Sequence, residues 1–109
     1  MIESFLMQAA DASVTQTSVQ QDLGDQNDYG IQAVFSSATL AGTLTLEGSL
    51  DNVSYGTIDS SSKTVTAGGV HIYNVTNGAY RYTRLKWVPS AGAGTLTVKV
   101  VVKQPSNRF

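Results

Sequence analysis

Gly42-Thr43-Leu44-Thr45-Leu46-Glu47-Gly48-Ser49-Leu50-Asp51 is the stretch that decides the fold class. Leucines alternate with Thr and Glu, and a period of two is what a β-strand with one buried and one wet face requires. Leu44 and Leu46 point inward on this reading, and Thr43, Thr45 and Glu47 point outward. Gly48 interrupts the row, which marks either a bulge or a close approach of another group to the backbone. The run Gly94-Thr95-Leu96-Thr97-Val98-Lys99-Val100-Val101-Val102-Lys103 echoes the pattern, with Leu96, Val98, Val100 and Val102 on one face.

Working outward, the same period recurs. Residues 29–36 set Tyr29, Ile31, Ala33 and Phe35 against Gly30, Gln32, Val34 and Ser36. Residues 79–88 set Arg81, Thr83, Leu85 and Trp87 against Tyr80, Tyr82, Arg84 and Lys86, and Leu85 and Trp87 make the first set the buried one. Residues 13–23 are rich in Thr, Val and Gln and read as a polar edge strand. A short strand is expected over 55–59. Residues 63–67 and 70–75 flank Gly68-Gly69, which reads as a hairpin turn because both glycines accept positive φ. Val65, Ile72 and one of Val70 or Val75 are its expected inward residues. Residues 24–27, 51–54, 60–62, 77–78 and 89–92 carry turn chemistry. The sum is an all-β chain, an antiparallel β-sandwich or jelly roll of about seven or eight strands.

The chain of 109 residues suits one core and one domain. Residues 1–12 show no alternation and read as an N-terminal arm, residues 13–103 as the β-sandwich domain, and residues 104–109 as a C-terminal tail. The first residues, with an early acid and no Lys or Arg, do not make a signal peptide or a membrane span, so the protein is expected to be made in the cytosol without Sec export. Net charge is −1, with 7 Lys and Arg against 8 Asp and Glu. No basic field exists to draw phosphate backbones or anionic lipid, which argues against nucleic acid and membrane as partners. Only 14% of residues are charged, and the weakly self-repelling surface suits a protein packed beside copies of itself.

Chemistry is sparse. With no cysteine, neither a disulfide nor a thiolate metal site can form. Asp22, Asp25 and Asp28 lack the Gly and terminal Glu of a calcium loop, so no metal or other cofactor is expected. His71 is the one histidine, and no G-x-S-x-G elbow accompanies it, so no catalytic residue is assigned and the protein is not expected to be an enzyme. Asp22 and Asp25 could cleave glycosides as a pair only at a fixed separation. The sequons Asn52-Val53-Ser54 and Asn74-Val75-Thr76 read as chance matches. What remains is contact. Phe5, Leu6 and Met7 in the arm, the stripe Tyr80, Tyr82, Arg84 and Lys86, and the terminal Phe109 are the candidate interface residues, Tyr and Arg being side chains that interfaces favour.

Gln16-Thr17-Ser18 through Asp22-Leu23, Ile31-Gln32-Ala33-Val34-Phe35, the opening stretch, Tyr80-Arg81-Tyr82-Thr83-Arg84-Leu85 and Gly92-Ala93-Gly94-Thr95-Leu96-Thr97-Val98 follow one another in an order that resembles small virion proteins of tailed bacteriophages. In that group a strand of the form G-T-L-x-L-x-G-S-x-D precedes a turn and an aromatic. The likeness spans residues 13–103. It implies a virion structural protein, a head decoration or cement protein that binds the major capsid protein or other virion subunits. It also implies a homo-oligomer, a trimer being favoured. The same segments resemble discoidin-like sugar-binding sandwiches, from which this chain departs in lacking flanking cysteines and in its shorter length. That likeness implies the alternative of a carbohydrate-binding module for host-surface adsorption, with Tyr80, Tyr82 or Tyr55 stacking on a sugar ring.

Overall fold

A computed structural model describes residues 2–23, 28–58, 61–75 and 80–102, and among these it contains strands and no helix. The strands form two antiparallel sheets. One has the order β1 (Ile2–Asp11), β10 (Thr95–Val102), β4 (Tyr29–Phe35), β8 (Val70–Val75). The other is centred on β9 (Tyr82–Ala91) and β5 (Ala41–Ser49). Along the outer edge of β9 lie β2 (Gln16–Thr17) and β3 (Gln21–Asp22), and along the outer edge of β5 lie β6 (Gly56–Thr57) and β7 (Lys63–Val65). The described residues thus hold ten strands where the sequence suggests seven or eight. The excess comes from β1, expected as an arm, and from residues 13–23, expected as one strand and divided into β2 and β3.

Alternation places the core as expected. Leu44 pairs with Trp87 and Leu46 with Leu85 across β5 and β9, and all four are buried. Tyr29, Ile31, Ala33 and Phe35 of β4 and Leu96, Val98, Val100 and Val102 of β10 face them from the other sheet. Trp87 is fully buried, its ring centroid is 4.7 Å from that of Phe35, and its Nε1–H donates to the Ala12 carbonyl at 2.8 Å. The indole therefore packs on one sheet while satisfying its one polar group.

Four expectations give way. First, residues 1–12 are no arm, because Ile2–Asp11 is a ten-residue strand paired with β10. Its register shifts twice, between Phe5 and Met7 and between Met7 and Ala10. Each bulge resets the alternation, so Leu6 and Met7 are buried in succession. Ala9 takes the positive φ of 46° in the second shift.

Second, Gly68-Gly69 is not a hairpin turn. Both glycines have positive φ as expected, 54° and 85°, but β7 pairs with β5 and β8 pairs with β4, so the chain crosses here from one sheet to the other. Third, β8 is therefore turned over. Tyr73 is buried and Ile72, expected inward, is exposed; of the alternatives Val70 and Val75, Val70 is exposed and Val75 packs against the core. Fourth, β9 continues through Pro89 to Ala91 in place of a turn. A register shift opposite Ala41 and Gly42 accommodates the proline, which has no N–H to give the ladder. The C-terminal tail and Phe109 lie outside the described residues.

Two core hydroxyls are tied to backbone or side-chain oxygens. Tyr73 donates to the Ser61 carbonyl at 2.6 Å, and Tyr29 to Thr83 Oγ1 at 3.2 Å. Burial pushes the Tyr73 phenol up to about 12 and pushes that of Tyr29 upward as well. A raised folded-state value means the unfolded chain ionises first, so stability is fully present below the ordinary phenol range near 10 and is lost as pH rises from there through the folded value. The denaturant midpoint is expected to hold from pH 7 to 9 and to fall between pH 10 and 12, and Tyr73→Phe is expected to shallow that fall. An alkaline limb unchanged by the substitution would count against this role for Tyr73.

Candidate interaction surface

The outward face of β9 and β5 carries a row of polar and aromatic side chains. Tyr82, Arg84 and Lys86 alternate with the buried Thr83, Leu85 and Trp87, and pairing sets Ser49 beside Tyr82, Glu47 beside Arg84 and Thr45 beside Lys86. Arg84 is held in place from two sides. Its Nε donates to Glu47 Oε1 at 2.7 Å, and its guanidinium carbon lies 3.8 Å from the Tyr55 ring centroid. The Tyr55 hydroxyl in turn donates to Asn52 Oδ1 at 2.5 Å. Burial raises the Tyr55 phenol above its ordinary value, and the Arg84 charge opposes that rise. A charge-assisted bond plus a stacked ring fixes a long side chain that would otherwise sample many rotamers.

The loop behind Tyr55 is ordered by Asp51. Its Oδ1 accepts from the Val53 and Ser54 N–H groups at 2.9 Å each and from the Ser49 hydroxyl at 3.0 Å, and these donors, led by Ser54, hold the carboxyl below its ordinary range. Asn52 sits in the left-handed region at φ 60°, which its side-chain type tolerates. Farther along, Arg81 meets Asp22 through two nitrogens at 3.1 and 3.2 Å. Both side chains are about half exposed, and a pair so open to solvent adds little to stability.

The expected stripe is therefore broken at one end. Tyr82, Arg84 and Lys86 share the outer face, but Tyr80 lies before a bend at Arg81 and turns inward. Its ring rests on Gly48, where a Cβ would come within 2.9 Å of Tyr80 Cγ, and it meets Tyr29 edge-on at 6.4 Å between centroids. Gly48 is thus a close approach without a bulge, since its pairing with Thr83 is in register. Tyr80 forms one wall of an open pocket of about 600 Å³ whose other walls include Leu50, Ser54, Gly56 and Ile58.

Of the residues expected at an interface in β1, Phe5 is on the surface at 50% exposure, with Lys99 Nζ 5.9 Å from its ring centroid, and Leu6 and Met7 belong to the core. Asp22 is committed to Arg81, and Asp25 lies outside the described residues. His71 Nε2 is 2.9 Å from the Gly68 carbonyl, and its ring stands edge-on to Phe35. Among the described residues there is no group of three or more His, Cys, Asp or Glu side chains able to hold a metal. Reading the sequence missed Glu47 and Tyr55 as the clamp on Arg84. Glu47 is visible as an acid in the outward row, but its alignment with Arg84 depends on the β5–β9 register.

No protein-family model matches the chain, and no curated protein matches it. Among solved structures, the SPBc2 prophage-derived protein YomS superposes with a TM-score of 0.71 at 15% identity, over 93% of this chain and 90% of that one. The PBSX exported protein XepA superposes with a TM-score of 0.69 at 22% identity, over 99% of this chain and 39% of that one. The chain shares the fold of both. It spans nearly the whole of YomS and well under half of XepA.

Proposed function

We propose that this chain is a phage-derived structural protein of the virion that works by contact and performs no reaction, in its most specific form a head decoration or cement protein bound to capsid subunits. The observation that carries this reading is the end-to-end match in fold to YomS, described as prophage-derived, over 93% of this chain and 90% of that one. Strand order adds to it. With β2 and β3 counted as one position and β6 and β7 as another, the two sheets run 1-8-3-6 and 2-7-4-5. We read that order as the winding of a two-sheet jelly roll, an architecture used by viral capsid domains. The contact face on this reading is the outward row of Tyr82, Arg84 and Lys86, where Arg84 is already immobilised and loses little entropy on docking.

The test is cosedimentation of the purified protein with heads of the phage that encodes it. Saturable retention is expected, reduced at least ~tenfold by Tyr82→Ala combined with Lys86→Glu, the loss typical of interface anchors. Both side chains point outward, so the variant should keep the wild-type unfolding midpoint. Heads that retain no protein would sink the reading.

One observation favours a second reading, a carbohydrate-binding module. The Tyr80 ring is fixed on Gly48 in the wall of an open pocket whose volume, about 600 Å³, suits a small ligand. Jelly rolls also serve lectins. Retention of the protein on a glycan array, abolished by Tyr80→Ala, would move the assignment there.

A further inference from the structure

The four edges of the two sheets are not alike. The β1 edge is bulged twice and bears Glu3 and Asp11, and the Leu6 carbonyl on it accepts from the Val19 N–H at 3.3 Å. Both edges of the other sheet are divided into pieces of two or three residues. These are the devices by which proteins keep edges from pairing with other chains: bulges, charges, cover and short strands. The fourth edge has none of them. β8 is Val70-His71-Ile72-Tyr73-Asn74-Val75, six residues without charge, proline, glycine or bulge.

The phase of its free hydrogen-bonding groups follows from one bond. The Phe35 N–H donates to the Gly69 carbonyl at 2.9 Å, which extends the β4–β8 register of Val34 with Val70 by one step. Bonded and non-bonded pairs alternate in an antiparallel ladder, so the pairs Ala33–His71, Ile31–Tyr73 and Tyr29–Val75 are the bonded ones. The N–H and C=O groups of Val70, Ile72 and Asn74 therefore point away from the sheet, and among the described residues they meet no partner. The same three residues carry the outward side chains, with Val70 56% and Ile72 60% exposed and Val34 next to Val70 across the pair.

From this we infer that β8 pairs antiparallel with β8 of a second copy of this chain about a twofold axis through Ile72. The sequence is self-complementary in that register. Ile72 stands opposite Ile72 of the other copy and Val70 opposite Asn74, so all three free N–H groups of each copy reach a carbonyl of the other. Opposed residues also share a face, as a regular sheet demands. With no charge in the strand, nothing repels across the axis. Any other register leaves at least one of these groups unpaired.

The area sets how tight the dimer can be. Six residues at ~3.4 Å each give a strip about 20 Å long, which with Val34 beside it stays under the ~1,200 Å² at which complexes become stable. The dimer is of the weak class, with a Kd on the order of 0.1 mM. Such an isologous contact closes on itself, so this surface builds a pair, and the trimer favoured by sequence resemblance would need a different one. The inference stands apart from the proposed function, since it concerns what one copy does to another with no virion present.

Sedimentation equilibrium of the whole protein from ~5 µM to ~1 mM tests it, together with amide hydrogen exchange at both ends of that range. The weight-average mass is expected to rise from that of one chain toward that of two, with the Val70, Ile72 and Asn74 amides gaining protection as it does. Ile72→Lys sets two charges against each other on the axis and is expected to weaken the dimer at least tenfold. Ile72→Thr keeps strand propensity and should dimerise. Both changes lie on an exposed side chain, so the unfolding midpoint is expected to stay near wild type. A monomer throughout the range, or self-association that Ile72→Lys does not weaken, or one that leaves those three amides exchanging as before, would overturn the inference.

Discussion

Removal of residues 1–8 is expected to leave the domain unfolded, or nearly so, at 25 °C. An arm could be cut without such a cost, but these residues include most of β1. The deletion takes Leu6 and Met7 out of the core, at about 1.5–3 kcal/mol for each buried side chain. It also strips the β10 ladder of Ile2, Glu3, Ser4, Phe5 and Met7, and it breaks the hydrogen bond of 2.8 Å from the Ser4 hydroxyl to Gln21 Oε1. A loss on the order of 5 kcal/mol or more falls on a domain whose total stability is in the usual range of about 5–15 kcal/mol. Trp87, the only tryptophan, is buried between the sheets and reports the transition by fluorescence. A truncated protein with the wild-type urea midpoint would show that β1 is dispensable after all.

The same strand shows where reading a sequence reaches its limit. In β4 and β10, in β5 as far as Glu47 and in β9 as far as Trp87, the burial follows a period of two, because each pairs in register along that stretch, and the inward residues there can be named from the alternation alone. In β1 two bulges reset the phase within ten residues, so Leu6 and Met7 face the same way, and no fixed period describes the result. The local pattern was absent because the strand owes its place to β10, not to its own residues. β8 failed for a related reason. Gly68-Gly69 permits a tight turn, and only the partners of β7 and β8, which lie in different sheets, decide that the chain crosses over and turns Ile72 outward.

The candidate interaction surface is partly legible in the sequence. The row Tyr82, Arg84, Lys86 follows from alternation, because Leu85 and Trp87 fix which face is wet. What alternation cannot supply is lateral alignment. Glu47 and Tyr55 come to Arg84 from β5 and from the loop after it, and a shift of one residue in the β5–β9 pairing would have sent Glu47 to the other side of the sheet. Tyr80 departs from the row because the bend at Arg81 ends the strand between it and Tyr82. In the sequence the glycine that receives Tyr80 marks a bulge or a close approach, and the structure shows the second.

Gly42, which opens the same stretch, is a sharper case, and Gly42→Ala is expected to destabilise the protein by ~3 kcal/mol or more. A Cβ at this position would collide with the Val88 carbonyl oxygen, lie 2.6 Å from Trp87 Cη2 and lie 2.8 Å from Pro89 Cα. Two of these obstacles are backbone, and the third is the ring of a fully buried side chain. None can rotate out of the way. Gly42 also sits next to the register shift of β5 on β9 that accommodates Pro89, so relief by moving one strand would disturb the bulge. Overpacking costs about 1–3 kcal/mol where a core can adjust, and more where it cannot. In a domain of this size each kcal/mol moves the melting temperature by roughly 4–8 °C, so the variant should melt at least ~12 °C below wild type. Gly56→Ala is the matched control. A Cβ there meets nothing within 4 Å, and the change should stay within about ±0.5 kcal/mol. Equal effects from the two substitutions would mean that loss of glycine in a strand, and not the seat of Trp87 against the β5 backbone, sets the cost.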